Sequence, residues 1–534
     1  MSRSRGLGGT ALLAALAVAL TACSGAGGGS ATGDAEPVEG GSVTFAVASS
    51  FGSFDPNITA SATDAQAMRQ IYDSLVELDD EGEILPWLAE SWEVSDDGLV
   101  YTFTLRDDVV FHDGTAFDAD AVCYNFDRIV APETGSLYAI ALIGPYESCQ
   151  AADATTAVIT LSTPYTPFLA NLSTPFLGMV SPTAAEASGV EGFGTEPVGT
   201  GPFRFVSYAA DSELVLERNP DYDWAPETAE HEGAAHLEGL TFQIISDATV
   251  RLGSVRNGDV QGIGDVPAQE VAGVQEDDTL TYYAPQQSGA TFQYFLNTER
   301  PLLQDVTVRR AIVAAMDVDS ALQATYFGVY ERSNSPLSPT TAGYDESIEP
   351  LAYDPEQAAE DLTAAGWIPG DDGIRVKDGE RLSISVLEST PSYDSRLELV
   401  EFLRQNLADV GIELIIDAQG AQMTEIYQAG DYDIATTSFI AVDPVILTTV
   451  YSSTSYFDIA RVSSLDDQLA QAEQMPAGAE RDALYGEIQR TAVEEAYSVP
   501  GYVLTYRVAT STQLHGLSFD AAAYPEFYDA YLSE

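Results

Sequence analysis

Apolar and polar residues alternate along several short segments in the first half of the chain. Tyr101, Phe103 and Leu105 are separated by single threonines, which is the period-two pattern of a half-buried strand. Asp-Asp-Gly before this segment and His-Asp-Gly after it are turn sequences, so we expect a hairpin or meander. Further strand patterns lie in residues 41–56, 156–169, 198–208 and 212–224. The first half of the chain is therefore predicted to be rich in strands.

Helical spacing of apolar residues becomes common in the second half of the chain. Residues 400–410 carry an apolar stripe at this spacing, and Gly411 follows where a helix C-cap is expected. The apolar run 412–416 then predicts a buried strand, and residues 481–503 predict a further helix that leads into a strand after Pro500. Helix, glycine and strand in this order are typical of an α/β unit. The change from a strand-rich first half to an alternating second half predicts two lobes.

Length and composition limit the number of domains and the kinds of partner that the chain is expected to have. A chain of 534 residues is expected to form two to four domains at roughly 150 residues each. It has 83 acidic residues against 22 basic ones, a net charge of −61, and a single lysine, Lys377. This balance argues against nucleic acid as a partner, because phosphate contacts require Lys and Arg. It fits either a solvated acidic surface or the electrostatic attraction of cationic ligands.

The N-terminus has the pattern of an export signal. Arg3 and Arg5 precede the apolar run 11–20, which is too short to span a bilayer as a permanent helix. The following Leu-Thr-Ala-Cys, ending at Cys23, resembles the bacterial lipoprotein box, and an ordinary signal peptide with an incidental cysteine is the alternative. The resemblance implies that Cys23 is acylated and becomes the first mature residue, anchored by its acyl chains. The Gly/Ser-rich residues 24–41 would then act as a flexible tether.

Two further cysteines, Cys123 and Cys149, complete the total of three. Export places them in an oxidising compartment, and an even number of cysteines there favours pairing. We therefore expect a disulfide between them, with two buried free thiols as the alternative.

Motifs that carry catalytic chemistry are few. His112 and Asp113 are neighbours in a turn sequence, so their side chains are expected to point apart. His231 and His236 lie five positions apart, whereas a zinc-protease helix needs four, and Gly233 interrupts the segment. We expect no metal site and no cofactor, because the chain also lacks a P-loop and a nucleophile elbow. The many acidic residues leave a glycosidase-type carboxylate pair open, but a binding protein is favoured over an enzyme.

Seven segments, in order along the chain, resemble one protein family. The first reads LAESWEVSDDGLVYTFTLRDDVVFHDGTAFDADAV. The order of the seven matches along the chain is more specific for the family than any single match. The others lie in residues 197–205, 216–224, 250–267, 296–322, 353–367 and 485–502. They resemble the extracellular solute-binding proteins of ABC importers in the oligopeptide, dipeptide and nickel class, which is bacterial solute-binding protein family 5.

The resemblance implies an α/β, two-lobed periplasmic-binding-protein fold of the class II type, with an extra strand-rich subdomain in lobe I. The signal peptide would be residues 1–22 and the tether 23–41. Lobe I would use residues 42–69, 196–285 and 501–534, the extra subdomain residues 70–195, and lobe II residues 286–500. The extra subdomain would hold both Cys123 and Cys149.

The family also implies a function and partners. A peptide-like solute would bind between the lobes, hinge closure would bury it, and the closed form would dock on an ABC permease driven by separate ATPase subunits. The receptor would be a monomer, anchored through Cys23 to the outer face of the cytoplasmic membrane. An oligosaccharide or other non-peptide metabolite is the alternative ligand. A secreted hydrolase on a two-lobed scaffold, and a sensor or adhesin without transport, are alternatives of other classes.

Carry-over from the family assigns two cleft segments. The loop after the first strand supplies Ser50, Phe51 and Phe54, although the two phenylalanines would equally suit the lobe I core. The second segment precedes Asp443-Pro444, and its members are expected to face the ligand. These are Ser438, Phe439, Ile440 and Ala441.

One position in that second segment departs from the family pattern. Peptide receptors of this class place an Asp about three residues before the Asp-Pro pair, where it binds the peptide amine, but this chain has Ile440. Asp443 would replace that Asp only if the loop shifted, and the apolar segment also suits a bulkier or less charged ligand. Gln286 and Gln287, at the expected crossover between lobes, are candidates for amide hydrogen bonds to the ligand.

Overall fold

Three large β-sheets organise the computed structural model, which describes residues 37–79, 82–390, 394–420 and 423–533. The predicted signal peptide, Cys23 and most of the predicted tether lie outside the described residues. We call the body built on the seven-stranded sheet lobe I, the body on the five-stranded sheet lobe II, and the body on the four-stranded sheet the extra subdomain. The residue limits predicted for these bodies remain predictions.

The sheet of lobe I combines strands from distant parts of the chain. Its centre is parallel, because Ser42–Val47 pairs on one side with Gly239–Ile244 and on the other with Gly262–Ile263. The C-terminal strand Val508–Ser511 returns to this sheet and pairs with Gly262–Ile263. From edge to edge the strands are Leu280–Tyr283, Val508–Ser511, Gly262–Ile263, Ser42–Val47, Gly239–Ile244, Glu213–Arg218 and Phe203–Ala209.

The sheet of lobe II lies entirely in the second half of the chain. Its strands, in spatial order, are Glu413–Gln419, Ser383–Ser389, Ile434–Ile440, Gly289–Leu296 and Ser498–Tyr502. Buried hydrophobic residues cover both faces of this sheet in two separate clusters. A sheet covered on both faces is typical of α/β architecture.

Two sequence predictions for lobe II need correction. The strand after the helix Arg396–Asp409 is only half-buried, with Ile415 54% exposed, because Glu413–Gln419 is the edge strand of its sheet. Pro500 lies inside the strand Ser498–Tyr502 rather than before it. That strand forms the opposite edge, where a proline without an N–H donor is tolerated.

The extra subdomain contains the predicted hairpin. Ala89–Val94 pairs antiparallel with Val100–Leu105, and Tyr101, Phe103 and Leu105 are all buried as the alternation predicts. Thr156–Leu161 and Tyr146–Asp153 complete the four-stranded sheet. The hydrophobic core of this subdomain is continuous with that of lobe I.

The Cys123–Cys149 disulfide is present and confirms the prediction. It joins the helix Ala119–Val130 to the strand Tyr146–Asp153 across 26 residues of sequence, and closure of such a loop stabilises by about 3 kcal/mol in the chain-entropy model. The same helix is tied to lobe I by the buried ion pair between Arg128 and Asp55, and Arg128 also donates to Asn57 at 2.6 Å. The helix therefore links its own sheet to the loop that follows the first strand of lobe I.

The remaining elements are helices and short ladders. The α-helices are Ala62–Ile71, Ala119–Val130, Ala139–Leu142, Phe168–Asn171, Pro182–Phe193, Ala248–Asn257, Val271–Gln275, Val306–Ala315, Val318–Tyr326, Pro355–Ala364, Arg396–Asp409, Met423–Ala429, Ile446–Tyr451, Asp466–Gln474 and Ala479–Glu494. The 3₁₀ turns are Pro175–Leu177, Ala268–Glu270, Pro301–Leu303 and Ser463–Leu465. The short strands are Val76–Leu78 with Ile84–Pro86, Ile368–Pro369 with Arg375–Lys377 and Glu380–Arg381, Leu514–His515 with Tyr531–Leu532, and Ser518–Phe519 with Pro525–Glu526.

His112 is expected to make stability fall in mild acid. Its Nε2 lies 2.9 Å from the Gly201 carbonyl oxygen and its Nδ1 accepts from Gly199 N–H, so the neutral ring satisfies both contacts. Burial lowers the pKa of His112 from 6.5 to about 4. The contribution of the neutral His112 ring to the free energy of unfolding is therefore complete above pH 6.5. This contribution is lost as the pH falls from 6.5 towards 4, by roughly 3 kcal/mol at the limit. Urea unfolding across this pH range should show a shallower dependence for His112→Gln, and identical slopes would contradict the assignment.

Candidate ligand-binding cleft

The carboxyl ends of the parallel strands in lobe I meet at one edge of its sheet. Val47 and Ile244 end there as register partners, Ile263 ends beside Ala46, and the segments that follow them leave the sheet. In open α/β sheets this edge is where ligands bind. The edge is therefore one wall of a candidate cleft.

The sheet of lobe II presents an equivalent edge. Ser383–Ser389 runs parallel to both Glu413–Gln419 and Ile434–Ile440, so the ends of these three strands lie together. Gly289 pairs with Ile440 and therefore begins its strand at the same edge. The predicted segment 438–441 thus lies where a second wall of the cleft is expected.

Two crossover segments, residues 284–288 and 503–507, connect the edges of the two lobes. They pair with each other as an antiparallel ribbon, in which Gln287 N–H donates to the Leu504 carbonyl at 2.9 Å and Tyr506 N–H donates to the Pro285 carbonyl at 3.0 Å. Gln286 bridges to Thr505 on the other segment. We call this pair the crossover ribbon, and it is the natural place for a hinge between the lobes.

Several polar contacts join lobe II to lobe I and the extra subdomain. The Tyr138 hydroxyl donates to the Ile440 carbonyl at 3.3 Å, and Ser288 Oγ donates to the Ala521 carbonyl at 2.7 Å. Thr166 N–H donates to the Glu473 carbonyl at 2.9 Å. These contacts hold lobe II and the crossover ribbon against lobe I and the extra subdomain.

An ion pair joins the crossover ribbon to lobe II. Arg507 Nη2 lies 2.9 Å from Asp394 Oδ1, and the guanidinium carbon lies 4.7 Å from the centre of the Tyr330 ring. The Tyr330 hydroxyl donates to the same Asp394 carboxylate. Asp394 and Ser395 both adopt left-handed backbone conformations, with φ of 49° and 60°. This conformation is uncommon for non-glycine residues, so the ion pair holds a strained turn at the cleft.

A cavity of about 420 Å³ opens in lobe I, and a second, small pocket of about 20 Å³ shares several of its lining residues. The small pocket is also lined by Val442 of lobe II and by Ser173 and Thr174 of the extra subdomain. The main cavity has the size of a small-molecule site. Five charged or aromatic residues line both pockets, and we use them to define the acidic cavity. They are Arg69, Glu77, Trp87, Asp520 and Glu526.

The three residues of the first predicted cleft segment lie in different environments. Phe51 and Phe54 are buried in the aromatic core of lobe I, where both rings pack on Tyr208. This position agrees with the lobe I core alternative for the two phenylalanines. Ser50 is at the sheet edge and donates to Asp211 at 2.5 Å. Contact of these residues with a ligand remains a prediction.

The second predicted segment is half-buried, with each member engaged in the protein. Ser438 Oγ accepts from Arg396 at 2.9 Å, and Phe439 packs on Phe457. Ile440 packs against the hydrophobic cores of both lobes. Ala441 N–H donates to the Ser288 carbonyl at 3.1 Å. Ligand contact remains a prediction for these residues too.

The two glutamines lie on the crossover ribbon as the sequence leads us to expect. The Gln286 side-chain amide donates to Glu331 at 2.9 Å, and Gln287 contributes the backbone hydrogen bond described above. Their amide contacts with a ligand remain predictions.

Asp443 forms a buried ion pair inside lobe II. Its two carboxylate oxygens lie 2.7 and 3.0 Å from the Arg481 guanidinium, and Oδ1 also accepts from Val445 N–H at 2.8 Å. The side chains of Asp443 and Arg481 are only 8% and 4% exposed. The Asp443 carboxylate therefore already has a charged partner within the protein.

The acidic cavity is the feature that sequence reasoning missed. Glu77 and Trp87 are separated from Asp520 and Glu526 by more than 400 positions, and no motif links them. The signal that could have found them is the predicted return of residues 501–534 to lobe I, next to the start of the extra subdomain.

Comparison with known proteins identifies the family. A family model described as bacterial extracellular solute-binding proteins, family 5 Middle, matches residues 83–459. The glutathione-binding protein GsiB of Pectobacterium atrosepticum is 28% identical over 508 residues, which are 92% of this chain and 94% of that protein.

Solved structures match the fold over nearly the whole chain. The periplasmic binding protein DppA of Helicobacter pylori, in complex with the peptide STSA, is 26% identical with a TM-score of 0.78, covering 93% of this chain and 99% of that one. NikA of Brucella suis, in complex with Fe(III)-EDTA, is 24% identical with a TM-score of 0.82, covering 92% and 100%.

The chain therefore belongs to the bacterial extracellular solute-binding proteins of family 5. Its fold is the two-lobed periplasmic-binding-protein fold, which confirms the predicted fold class. Within the described residues no helix is long and apolar enough to cross a bilayer. Over the same residues, no group of three or more histidine, cysteine or acidic side chains has a metal-binding arrangement.

Asp443→Asn tests whether Asp443 is structural. The substitution leaves Arg481 buried without its charged partner, so we expect a loss of about 3–5 kcal/mol in the free energy of unfolding, measured by urea titration. A double variant, Asp443→Leu with Arg481→Met, should recover much of that loss because no unpaired charge remains. Unchanged stability together with lost ligand affinity would instead assign Asp443 to the ligand.

Proposed function

We propose that this protein is the lipid-anchored substrate-binding protein of an ABC importer, and that it captures a peptide-like solute between its lobes for delivery to a membrane permease. The observation that carries the proposal is the cleft geometry. Two sheet edges are joined by the crossover ribbon, and the end of the lobe II strand Ile434–Ile440 contacts Tyr138 of the extra subdomain. A solute held between these edges would touch both lobes and so favour their closed arrangement.

The comparisons support the peptide-like class of ligand. GsiB is named for glutathione, a peptide-like thiol, and the DppA structure contains the peptide STSA. AppA of Bacillus subtilis, 20% identical and similar in fold, was solved with a nonapeptide. NikA with Fe(III)-EDTA shows that the same fold also takes non-peptide ligands, which keeps a non-peptide metabolite as the second candidate.

The proposed role is binding rather than catalysis. Family members are solute-binding proteins, and the hydrolysis or ATP chemistry of an importer would reside in separate subunits. The chain would work as a monomer with a permease and ATPase subunits as partners. Because the energy of transport comes from those subunits, the contribution of this chain is its higher affinity for solute in the closed form.

Mass spectrometry of released solute tests the receptor role. The protein, produced without residues 1–22 and with Cys23→Ser, is purified, denatured and analysed for small molecules. We expect a peptide that rebinds with one ligand per chain in calorimetry, reduces the radius of gyration in solution scattering, and is recovered chemically unchanged. A non-peptide solute would overturn the peptide assignment, and turnover of the solute would overturn the receptor role.

Acylation of Cys23 is expected to anchor the protein. Cells that express the full chain and are fed radiolabelled palmitate should incorporate label into the protein and retain it in the membrane fraction. The Cys23→Ser variant should lose both the label and the membrane retention. Release of the full chain into the medium without label would contradict the anchor.

A further inference from the structure

The extra subdomain touches lobe II outside the crossover ribbon. The contact is made by residues 163–167, Thr-Pro-Tyr-Thr-Pro, which come soon after the strand Thr156–Leu161. Thr166 N–H donates to the Glu473 carbonyl at 2.9 Å, and Thr166 Oγ1 donates to the Met475 carbonyl at 2.5 Å. One residue of the extra subdomain therefore makes two hydrogen bonds to backbone carbonyls of lobe II.

Those carbonyls lie at the C-terminus of a lobe II helix, Asp466–Gln474. The last carbonyls of a helix have no partner within the helix, and a following glycine or a basic side chain often compensates for this. This helix is followed by Met475 in extended conformation and has no basic residue in its last turn. Arg481 of lobe II donates to the Ala472 carbonyl at 3.0 Å, and Thr166 donates to the next carbonyl along the chain. The helix end is thus completed by a residue from another body of the fold.

The capping segment is held firmly on its own side. Pro164 and Pro167 fix φ at two of its five positions. The Tyr165 ring is 9% exposed and lies against Gly144, where a Cβ atom would come within 2.5 Å of the ring. Gly144 also has a φ of 58°, which a residue with a side chain rarely adopts. Thr166 therefore reaches lobe II from a fixed position, and little conformational entropy is lost when it binds there.

The helix end is also firmly held, and it is joined to the second predicted cleft segment. Leu469 and Ala472 of the helix are buried in the core of lobe II. Arg481, which donates to the Ala472 carbonyl, also forms the buried ion pair with Asp443. Asp443 lies two positions after residues 438–441. One arginine thus holds both the capped helix end and the backbone that follows the cleft segment, so we expect the two to move as one unit.

A pocket of about 340 Å³ lies beside the contact, between the extra subdomain and lobe II. Tyr138, Thr163 and Tyr165 line it from the extra subdomain. Ala441 and Gln474 are among the residues that line it from lobe II. Because of this space, the two bodies are joined here by directed hydrogen bonds more than by close packing. A contact of that kind can be released without exposing a large apolar surface.

We propose that Thr166 is a latch for lobe closure, which caps the helix Asp466–Gln474 in the closed arrangement and loses both hydrogen bonds when the lobes rotate apart about the crossover ribbon. This inference rests on the proposed function, because it assigns a residue to the closed form of that receptor. It gives the extra subdomain a role that needs no contact with the solute. One net hydrogen bond changes an equilibrium constant by about threefold to tenfold, so the Thr166 hydroxyl alone shifts closure by that factor.

Hydrogen exchange of the Thr166 amide tests the latch. Pro164 and Pro167 have no N–H, so within residues 164–167 only Tyr165 and Thr166 exchange in overlapping peptides analysed by mass spectrometry. In the protein without residues 1–22 and with Cys23→Ser, we expect the Thr166 amide to exchange at least tenfold more slowly than in an unstructured chain. Thr166→Val removes the hydroxyl and should speed exchange at this position about threefold to tenfold, after correction for the new side chain. Thr166→Ser keeps the hydroxyl and should stay near the wild type.

A matched control makes the same change elsewhere in the segment. Thr163→Val alters an exposed side chain three positions earlier and should leave exchange of the Thr166 amide unchanged. Amides of the strand Thr156–Leu161 should exchange alike in all four proteins, which shows that the extra subdomain is folded. If they do not in Thr166→Val, Thr166→Ala takes its place. An unprotected Thr166 amide in the wild type, or equal protection with and without the hydroxyl, would overturn the latch.

The solute that co-purifies with each variant separates this inference from the proposed function. We expect less solute per chain in Thr166→Val than in the wild type and Thr166→Ser, because the closed form retains it. If the exchange rates respond but the retained solute does not, Thr166 forms the contact without favouring the closed receptor, and the proposal is overturned. If no solute is recovered from any of the proteins, the receptor role fails, while the exchange rates still decide whether the latch exists.

Discussion

The crossover ribbon determines what the rest of the structure is able to do. In the part of the chain that the structure describes, the backbone passes between the lobes at residues 284–288 and 503–507, and these segments pair with each other as an antiparallel ribbon. In the proposed function, rotation of the lobes would be concentrated at these two short segments. The groups that must meet on closure are consequently on loops at the sheet edges, as with Tyr138 and the Ile440 carbonyl, or Ser288 and the Ala521 carbonyl.

Scarce positive charge gives the few arginines of the protein a particular use. With 22 basic residues against 83 acidic ones, a random arrangement would place most basic side chains on the surface, each near several acidic side chains. Instead, several arginines are buried in ion pairs, some at junctions between parts of the fold and one inside lobe II. These pairs are Arg69–Asp520, Arg128–Asp55, Arg481–Asp443 and Arg507–Asp394. Each junction is held by a charge pair whose loss would leave a buried, unpaired ion, so the pairs specify geometry more than they add net stability.

Local pattern predicted the elements of this fold more successfully than it predicted the site. The alternation in Val100–Leu105 and the helix before Gly411 are properties of adjacent residues, and both are present. Features of edge strands are harder to predict from local pattern. The exposure of Ile415 and the presence of Pro500 within a strand both depend on the order of strands in the sheet. The acidic cavity depends on contacts between residues that are hundreds of positions apart, which no local period encodes. Carry-over from the family located the cleft segments but not which side chains are already engaged within the protein.

Val442 gives the contact between the lobes a stability of its own. This lobe II side chain is 9% exposed and belongs to the hydrophobic core that lobe I shares with the extra subdomain. Burying one such side chain is worth about 1.5 kcal/mol, which is roughly a tenfold change in an equilibrium constant. A valine at this position therefore gives the contact between the lobes a favourable free energy that needs no solute. If the protein works as the proposed receptor, a change of size at this single position would alter the fraction of receptors that rest closed before any cargo arrives.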